Sequence, residues 1–450
     1  MLPVISEAEA LTHLETVLTA LKRAGATDAD AAYVGGDSVS VSVRLGQVED
    51  ISRSEDAEIG LRAFVGRQSA SVALSDFAPA AIEEAAARAV AMARATTADE
   101  YAGLVDRDLL LRDPPRDFDT DDGGEIDLAR LEARALSCED AARAVEGITN
   151  SGGGGASASR STFALATSHG FAAARTGTSH SIYASVIAGV GERMQRDYAQ
   201  SSARHLEDVE SAEIIGTRAG ERTVARLDPV KPKSGALPVL FDKRVSPGLI
   251  GHLAGAINGT AIARGTSFLD DPEAQLFAPG IRIVEDPHRP RGQRSRAFDG
   301  EGVATSVRDI VADGRLTGWL MNASAARQLD LAPTGHAARG TGGPPGIGMS
   351  NVHLQAGSTR VSDMIAGIDR GVLITELIGQ GVSLVTGDYS RGAGGFLIEK
   401  GEITRAVNGI TIAGNLKDMF ARMIPADDLE FRHATNAPTV LIEGMTVAGE

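Results

Sequence analysis

The stretch LPVLFDKRVSPGLIGHLAGAINGTAIARGTSF, residues 237–268, decides how the chain is divided. Its lead-in, Leu237 to Phe241, is short and apolar and reads as a strand. Pro247 then falls where a first helical turn tolerates proline, because the missing N–H has no intrahelical partner there anyway. Leu249, Ile250, Leu253, Ala256 and Ile257 recur at helical spacing and give that helix one apolar face. Beside it runs a second stripe: Gly248, His252, Gly255 and Gly259. Glycine in a helix costs about 1 kcal/mol against alanine. A stripe of glycines therefore implies close approach by another backbone or a ligand. His252 sits in that stripe, where a metal or a substrate could be reached; a core histidine with one satisfied nitrogen fits the same position.

Upstream, Asp228 to Gly235 (DPVKPKSG) has the composition of a linker. Three regions follow from it: 1–118, 119–230 and 235–450. In the first, Ser6 and Glu9 have capping-box spacing before a helix whose buried face is Leu11, Leu14, Leu18 and Leu21. Gly25 ends that helix. Strands are expected at Ala31–Val34, Val39–Leu45, Gln47–Ser52, Glu58–Val65 and Ser69–Leu74, with Gly46 and Gly66 in hairpin turns. An alanine-rich helix runs from Pro79 to Thr97, and an acidic segment, Ala98 to Gly124, reads as a linker.

The pattern then restarts. A helix, Ile126–Val145, precedes a glycine run at Gly152–Gly155 that reads as a flexible joint. Short strands follow at Ser161–Ala166, Phe171–Thr178 and His180–Val190, then a helix at Leu206–Arg226. The order helix, antiparallel strands, helix thus occurs twice. The third region is glycine- and strand-rich, with turns at Asp313-Gly314 and Lys400-Gly401. It is expected to hold strands at Gly371–Leu377, Val382–Thr386, Gly395–Glu399, Glu402–Val407 and Val440–Val447. The fold class is α+β: a two-part N-terminal region of helices and antiparallel strands, followed by a strand-rich C-terminal domain.

Composition narrows the function. The chain has 450 residues, 43% of them hydrophobic but only 4% aromatic, so its cores are aliphatic. A formal net charge of −16 with no basic run argues against a nucleic-acid partner and against an anionic membrane surface. The lone cysteine, Cys138, falls on an apolar helical stripe and reads as a packing residue; it permits no internal disulfide, which fits a reducing compartment. The N-terminal MLPVISEAEA has neither a basic segment nor an apolar core, and no run approaches a membrane span. The expectation is a cytoplasmic protein.

Motifs for phosphate loops, nucleophile elbows and paired metal-binding histidines are missing. Asp299 and Glu301, in FDGEG, read as a solvated turn. The segment Arg339 to Asn351, RGTGGPPGIGMSN, is more telling. Its glycines let backbone approach another chain closely, while Pro344-Pro345 stiffens it. Arg339, Thr341, Gly342, Gly343, Gly346, Gly348, Ser350 and Asn351, with His252, are the candidates for lining a substrate cleft.

LAPTGHAARGTGGPPGIGMSNVHLQAG (331–357), TELIGQGVSLVTGDYSRGAGGFLIEKGEI (375–403) and GITIAGNLKDMF (409–420) resemble the TldD/TldE (PmbA) family. The resemblance is strongest over about 236–450. It implies kinship with a zinc metalloprotease subunit whose helix carries H-E-x-x-x-H. With the terminal histidine of that motif on His252, Pro247 stands at the first histidine and Gly248 at the glutamate. Family proteases also take a cysteine ligand from the C-terminal region, and this chain has none there. Zinc catalysis needs three protein ligands, an open position and a base. The chain thus looks like the TldE (PmbA) subunit, with no metal of its own and zinc in a TldD-like partner. Unfolded peptides and peptide precursors are the substrates that the resemblance implies. Self-association is left open. Two other readings stand beside this one: an independent hydrolase around His336, His353 and Asp388, and a regulatory binding protein.

Overall fold

A computed structural model describes residues 5–450. The first helix, α1 (Glu7–Ala24), opens on the expected capping box: Ser6 accepts from the Glu9 amide, and the Glu9 carboxylate accepts from the Ser6 amide at 2.8 Å. Gly25 closes it with φ 100°, the left-handed region that glycine enters cheaply. Leu14, Val17 and Leu21 are fully buried, each worth about 2 kcal/mol or more as apolar surface removed from water.

Strands β1 (Asp28–Arg44) and β2 (Gln47–Val65) form one long hairpin, and β3 (Gln68–Leu74) adds to it. The two pairs of shorter strands expected there are single continuous ones, because cross-strand pairing carries the chain through the polar residues between the apolar runs. Leu45-Gly46 turns with both φ positive, as the hairpin requires. Helix α2 (Pro79–Ala95) packs beside α1. The second unit repeats the order: α3 (Leu128–Arg143), β4 (Ile148–Thr167), β5 (Ala172–Ala188), β6 (Gln195–Ala203), α4 (Ala212–Ala225). The two units share one antiparallel sheet, β3-β2-β1-β4-β5-β6, joined at β1–β4 from Asp30↔Thr167 to Val43↔Gly154.

The glycine run 152–155 is not a flexible joint. It lies within β4, where crowding explains it: a Cβ at Gly155 would stand 2.7 Å from the Tyr183 ring and 2.9 Å from the Val41 carbonyl oxygen. Helix 206–226 is also shorter than expected, with α4 beginning at Ala212 on a Ser211 cap.

The C-terminal region begins with β7 (Gly235–Phe241), α5 (Pro247–Ala256) and α6 (Gly259–Ala263). Then come β8 (Ile283–Glu285), the hairpin β9 (Arg308–Ala312) and β10 (Arg315–Leu316), and α7 (Ala323–Leu329). Short strands β11 (Ala337–Ala338), β12 (Gly346–Ile347) and β13 (Val352–Leu354) lead to α8 (Val361–Ala366). After β14 (Arg370–Ile378), β15 (Asp388–Glu399), β16 (Glu402–Asn415) and α9 (Leu416–Ala421) come β17 (Met423–Pro425), β18 (Thr435–Asn436) and β19 (Val440–Ala448). Strands β16-β15-β14-β7-β19 close on themselves through β16–β19 pairing, making a barrel with β17 on its rim. Its interior, with the α5 face Leu249, Ile250, Leu253 and Ala256, is the largest core of the chain. Val382–Thr386 does not form a strand; Val382 makes a single bridge to Tyr389.

Candidate interdomain site

The start of α5 lies at a junction. The Asp242 side chain accepts from the Arg244 amide at 2.8 Å, turning the chain out of β7. Ser246 is buried and donates its hydroxyl to the Pro438 carbonyl at 2.8 Å, which fixes the helix entry. Pro247 at the first helical position lines a cleft of about 320 Å³ between the N-terminal sheet and the C-terminal domain. One wall carries Tyr198 and Gln200 of β6 and Arg218 and Arg222 of α4; the other carries Lys243, Arg244 and the segment from Glu430 to Ala437. The cleft runs on into a second cavity of about 620 Å³ that shares Gln200, Glu430, Arg432 and His433 with it.

Buried ion pairs hold the walls at this spacing. Asp197 of β6 takes Arg244 at 2.8 Å and Arg226 at 3.3 Å, and Arg226 also reaches Glu376 of β14. Burial would raise the Asp197 pKa, but the hydrogen bond and charge of Arg244 and the charge of Arg226 hold it below the usual carboxylate range.

His252 lies one turn into α5, half-buried. Its ring meets Tyr389 edge-on, with centroids 5.9 Å apart. Burial and the nearby Arg391 charge lower its pKa, which favours neutral imidazole. Of its glycine stripe, Gly255 and Gly259 are closely approached: a Cβ would stand 2.6 Å from Leu384 and 2.8 Å from the Leu320 carbonyl oxygen, respectively. Gly248 is open.

The glycine loop is anchored at both ends and bare in the middle. Arg339, its side chain fully buried, pairs with Asp30 of β1 at 2.9 Å and donates to the Gly343 carbonyl. Arg62 of β2 binds the other oxygen of Asp30 through Nε at 2.7 Å. Thr341 donates to Glu58, and its backbone lies so close to Gly60 that a Cβ there would be 2.3 Å from the Thr341 carbonyl oxygen. At the other end the Ser350 amide donates to Glu285 at 2.5 Å, and Asn351 bridges the Arg294 amide and the Ser295 hydroxyl. Gly348 accepts from Arg296 at 2.9 Å. Around Gly342, Gly343 and Gly346, an added Cβ would meet nothing within 4 Å. The side chains of Arg339, Ser350 and Asn351 are thus turned inward. The loop docks on β2, whereas the cleft at Pro247 faces β6, four strand spacings away, about 19 Å.

The alternative trio does not converge on one set of contacts. His336 is buried, with Nε2 2.6 Å from Glu285 and Nδ1 2.8 Å from Thr334. His353 meets Phe431, and Asp388 bonds Thr386 at the mouth of β15. Asp299 and Glu301, expected in a solvated turn, are 1% and 6% exposed. Asp299 accepts from the Glu301, Val303 and Ala337 amides, and Glu301 accepts from Ala323 at 2.8 Å. Burial and the neighbouring Asp299 raise Glu301 to about 7.

The three regions of the chain match the PmbA/TldA metallopeptidase domain 1 (residues 29–93), central domain (121–227) and C-terminal domain (234–449). Metalloprotease PmbA of Escherichia coli O157:H7 is 37% identical over 99% of both chains. The chain belongs to the PmbA/TldD metallopeptidase family. The Metalloprotease PmbA homolog of Haemophilus influenzae is 34% identical over 95% of this chain and 93% of its own. Crystal structures share the fold: TldE from Thermococcus kodakarensis has a TM-score of 0.86 at 21% identity, covering 97% of this chain and all of its own.

The family implies zinc, and the residues at the expected place do not fit it. Pro247 and Gly248 offer no side-chain donor, and His252 stands against an aromatic ring. Among the described residues no group of three or more His, Cys, Asp or Glu side chains could hold a metal ion. No helix among them is long and apolar enough to cross a membrane. Sequence reasoning found the α5 stretch but missed the cleft walls, which come from segments as far apart as Tyr198 and Ala437.

Proposed function

We propose that this chain is the non-catalytic subunit of a cytoplasmic heterodimeric metallopeptidase. Its partner is a TldD-like chain that carries the zinc and cuts unfolded peptides and peptide precursors. The observation that carries the reading is the start of α5. A zinc hydrolase needs three protein ligands and a base to take the proton of bound water. Proline and glycine stand where the family motif has its first histidine and its glutamate, and among the described residues His252 belongs to no group of side chains that could hold a metal ion. Relatives named as metalloproteases tie the chain to proteolysis, and the Metalloprotease TldD homolog of Haemophilus influenzae, 27% identical over 45% of this chain, supplies the kind of partner. The open space around Gly342, Gly343 and Gly346 leaves room for an extended peptide to approach the main chain without its side chains being read. The independent-hydrolase reading loses its centre, because both ring nitrogens of His336 are engaged. The test is a peptidase assay of this chain, of a TldD-like chain and of the two mixed, with sedimentation velocity on the mixture. Cleavage that rises sharply only in a co-sedimenting mixture is expected; full cleavage by this chain alone would overturn the reading.

A further inference from the structure

The cleft at Pro247 concentrates guanidinium groups in a chain of net charge −16. Most are neutralised in place. Arg218 is held by Glu210 at 2.7 Å, Arg244 by Asp197 at 2.8 Å and Arg432 by Glu430 at 2.6 Å, while Lys243 also reaches Glu430. Two arginines have no carboxylate partner among the described residues. Arg222 makes one polar contact, to the Tyr198 carbonyl oxygen at 3.5 Å. Arg289, in the adjoining cavity, donates to the His433 carbonyl at 3.0 Å and lies over the Phe431 ring at 5.2 Å.

Burial lowers the pKa of both arginines. At Arg222 the charge of Arg244 acts in the same direction, ahead of the opposing pull of Asp197 and Asp242. An unpaired, partly desolvated guanidinium beside another cation is costly, and an incoming anion relieves that cost. Glu430 lines both cavities and Asp208 and Glu210 line the second; Lys243 and Arg432 hold Glu430, Arg291 holds Asp208, and Arg218 and Arg432 hold Glu210. Tyr198 and Phe431, 48% and 54% exposed, set apolar surface beside the two free arginines. Guanidinium planes match carboxylates two bonds at a time.

We propose that this cleft selects peptides carrying carboxylates, Arg222 receiving one carboxylate and Arg289 a second. The carboxylate comes from Asp or Glu side chains or from a free C-terminus. The inference rests on the role in peptide proteolysis proposed above and adds a second contact for the substrate, four strands along the N-terminal sheet from the glycine loop, with the chemical class of the guest.

The test uses the full chain and short fluorescein-labelled extended peptides read by anisotropy. One carries two glutamates, one has glutamine in their place, and each is made with a free or an amidated C-terminus. The glutamate peptide is expected to bind about tenfold tighter than its glutamine counterpart. Arg222→Met is expected to remove about that factor for acidic peptides alone. Raising salt from about 50 to about 300 mM is expected to narrow the difference. If amidation accounts for the difference, the C-terminus is the source; if the glutamines do, side chains are. Arg289→Gln, whose side chain stacks on an exposed ring, provides a second variant should Arg222→Met lose its melting transition. Equal affinity for all peptides, unchanged by either variant, overturns the selectivity and leaves peptide binding standing. No binding of any peptide overturns the selectivity and the second substrate contact together.

Discussion

Replacing Asp30 by asparagine tests what joins the glycine loop to the N-terminal sheet. Asp30 is 3% exposed and, among the described residues, is the only acid paired with Arg62 and Arg339. Burial raises its pKa, but the two arginine charges together hold it below the usual carboxylate range. Asparagine keeps the shape and loses the charge, and its amide turns a donor toward one guanidinium. Two buried cations then face each other unpaired. Removing one partner of a buried pair costs about 3–5 kcal/mol. Because Arg339 comes from the C-terminal domain, the loss should fall on the joint, and amide exchange at residues 337–343 should quicken before that of β4. Urea unfolding followed by circular dichroism measures the first quantity, and exchange with mass spectrometry the second. Adding Arg339→Met to the variant should recover part of the loss, since the second cation is then gone. A loss below about 1 kcal/mol with unchanged exchange would refute the reasoning, placing the pair among those worth little.

Two further outcomes follow from the buried loop and its surroundings. Glu301 titrates at about 7 in the folded chain against 4.5 as its ordinary value, so the folded state keeps a proton that the unfolded state gives up. Stability is therefore fully present below pH 4.5 and falls as pH rises through 7, by about 3 kcal/mol at 1.36 kcal/mol per pKa unit. Glu301→Gln, retaining an oxygen for the Ala323 amide, should melt higher than the parent at pH 8 and nearly equal to it at pH 4.5; the reverse order would contradict the burial argument. Gly346→Val places its side chain in open space at a φ that any residue adopts, so the melting temperature and the pairing affinity should hardly move while cleavage by the assembled pair falls. Failure to fold or to pair would make the loop a structural turn.

What the sequence disclosed was local. The capping box at Ser6, the turns at Gly46, Asp313-Gly314 and Lys400-Gly401, and the apolar face of α5 depend on neighbours within a few residues. Those are the interactions that residue order records directly. Misread features depend on distant partners. Gly152–Gly155 reads as a joint until Tyr183 and Val41 close in on it. Asp299 and Glu301 read as solvated until the Ala337 and Ala323 amides turn them inward. Arg339 and Asp30 lie 309 positions apart, and no spacing rule joins them. The cleft is the extreme case: Arg222 and Arg432 look like ordinary surface cations until the fold brings α4 and the segment after β17 to line one cleft with Pro247.

Elemental analysis of the tag-free chain tests the central claim most directly. The account predicts far less than one zinc per chain, no cleavage by the isolated protein, and chelator-sensitive cleavage appearing only with a TldD-like partner. One tightly held zinc per chain, together with chelator-sensitive cleavage by this chain alone, would contradict it.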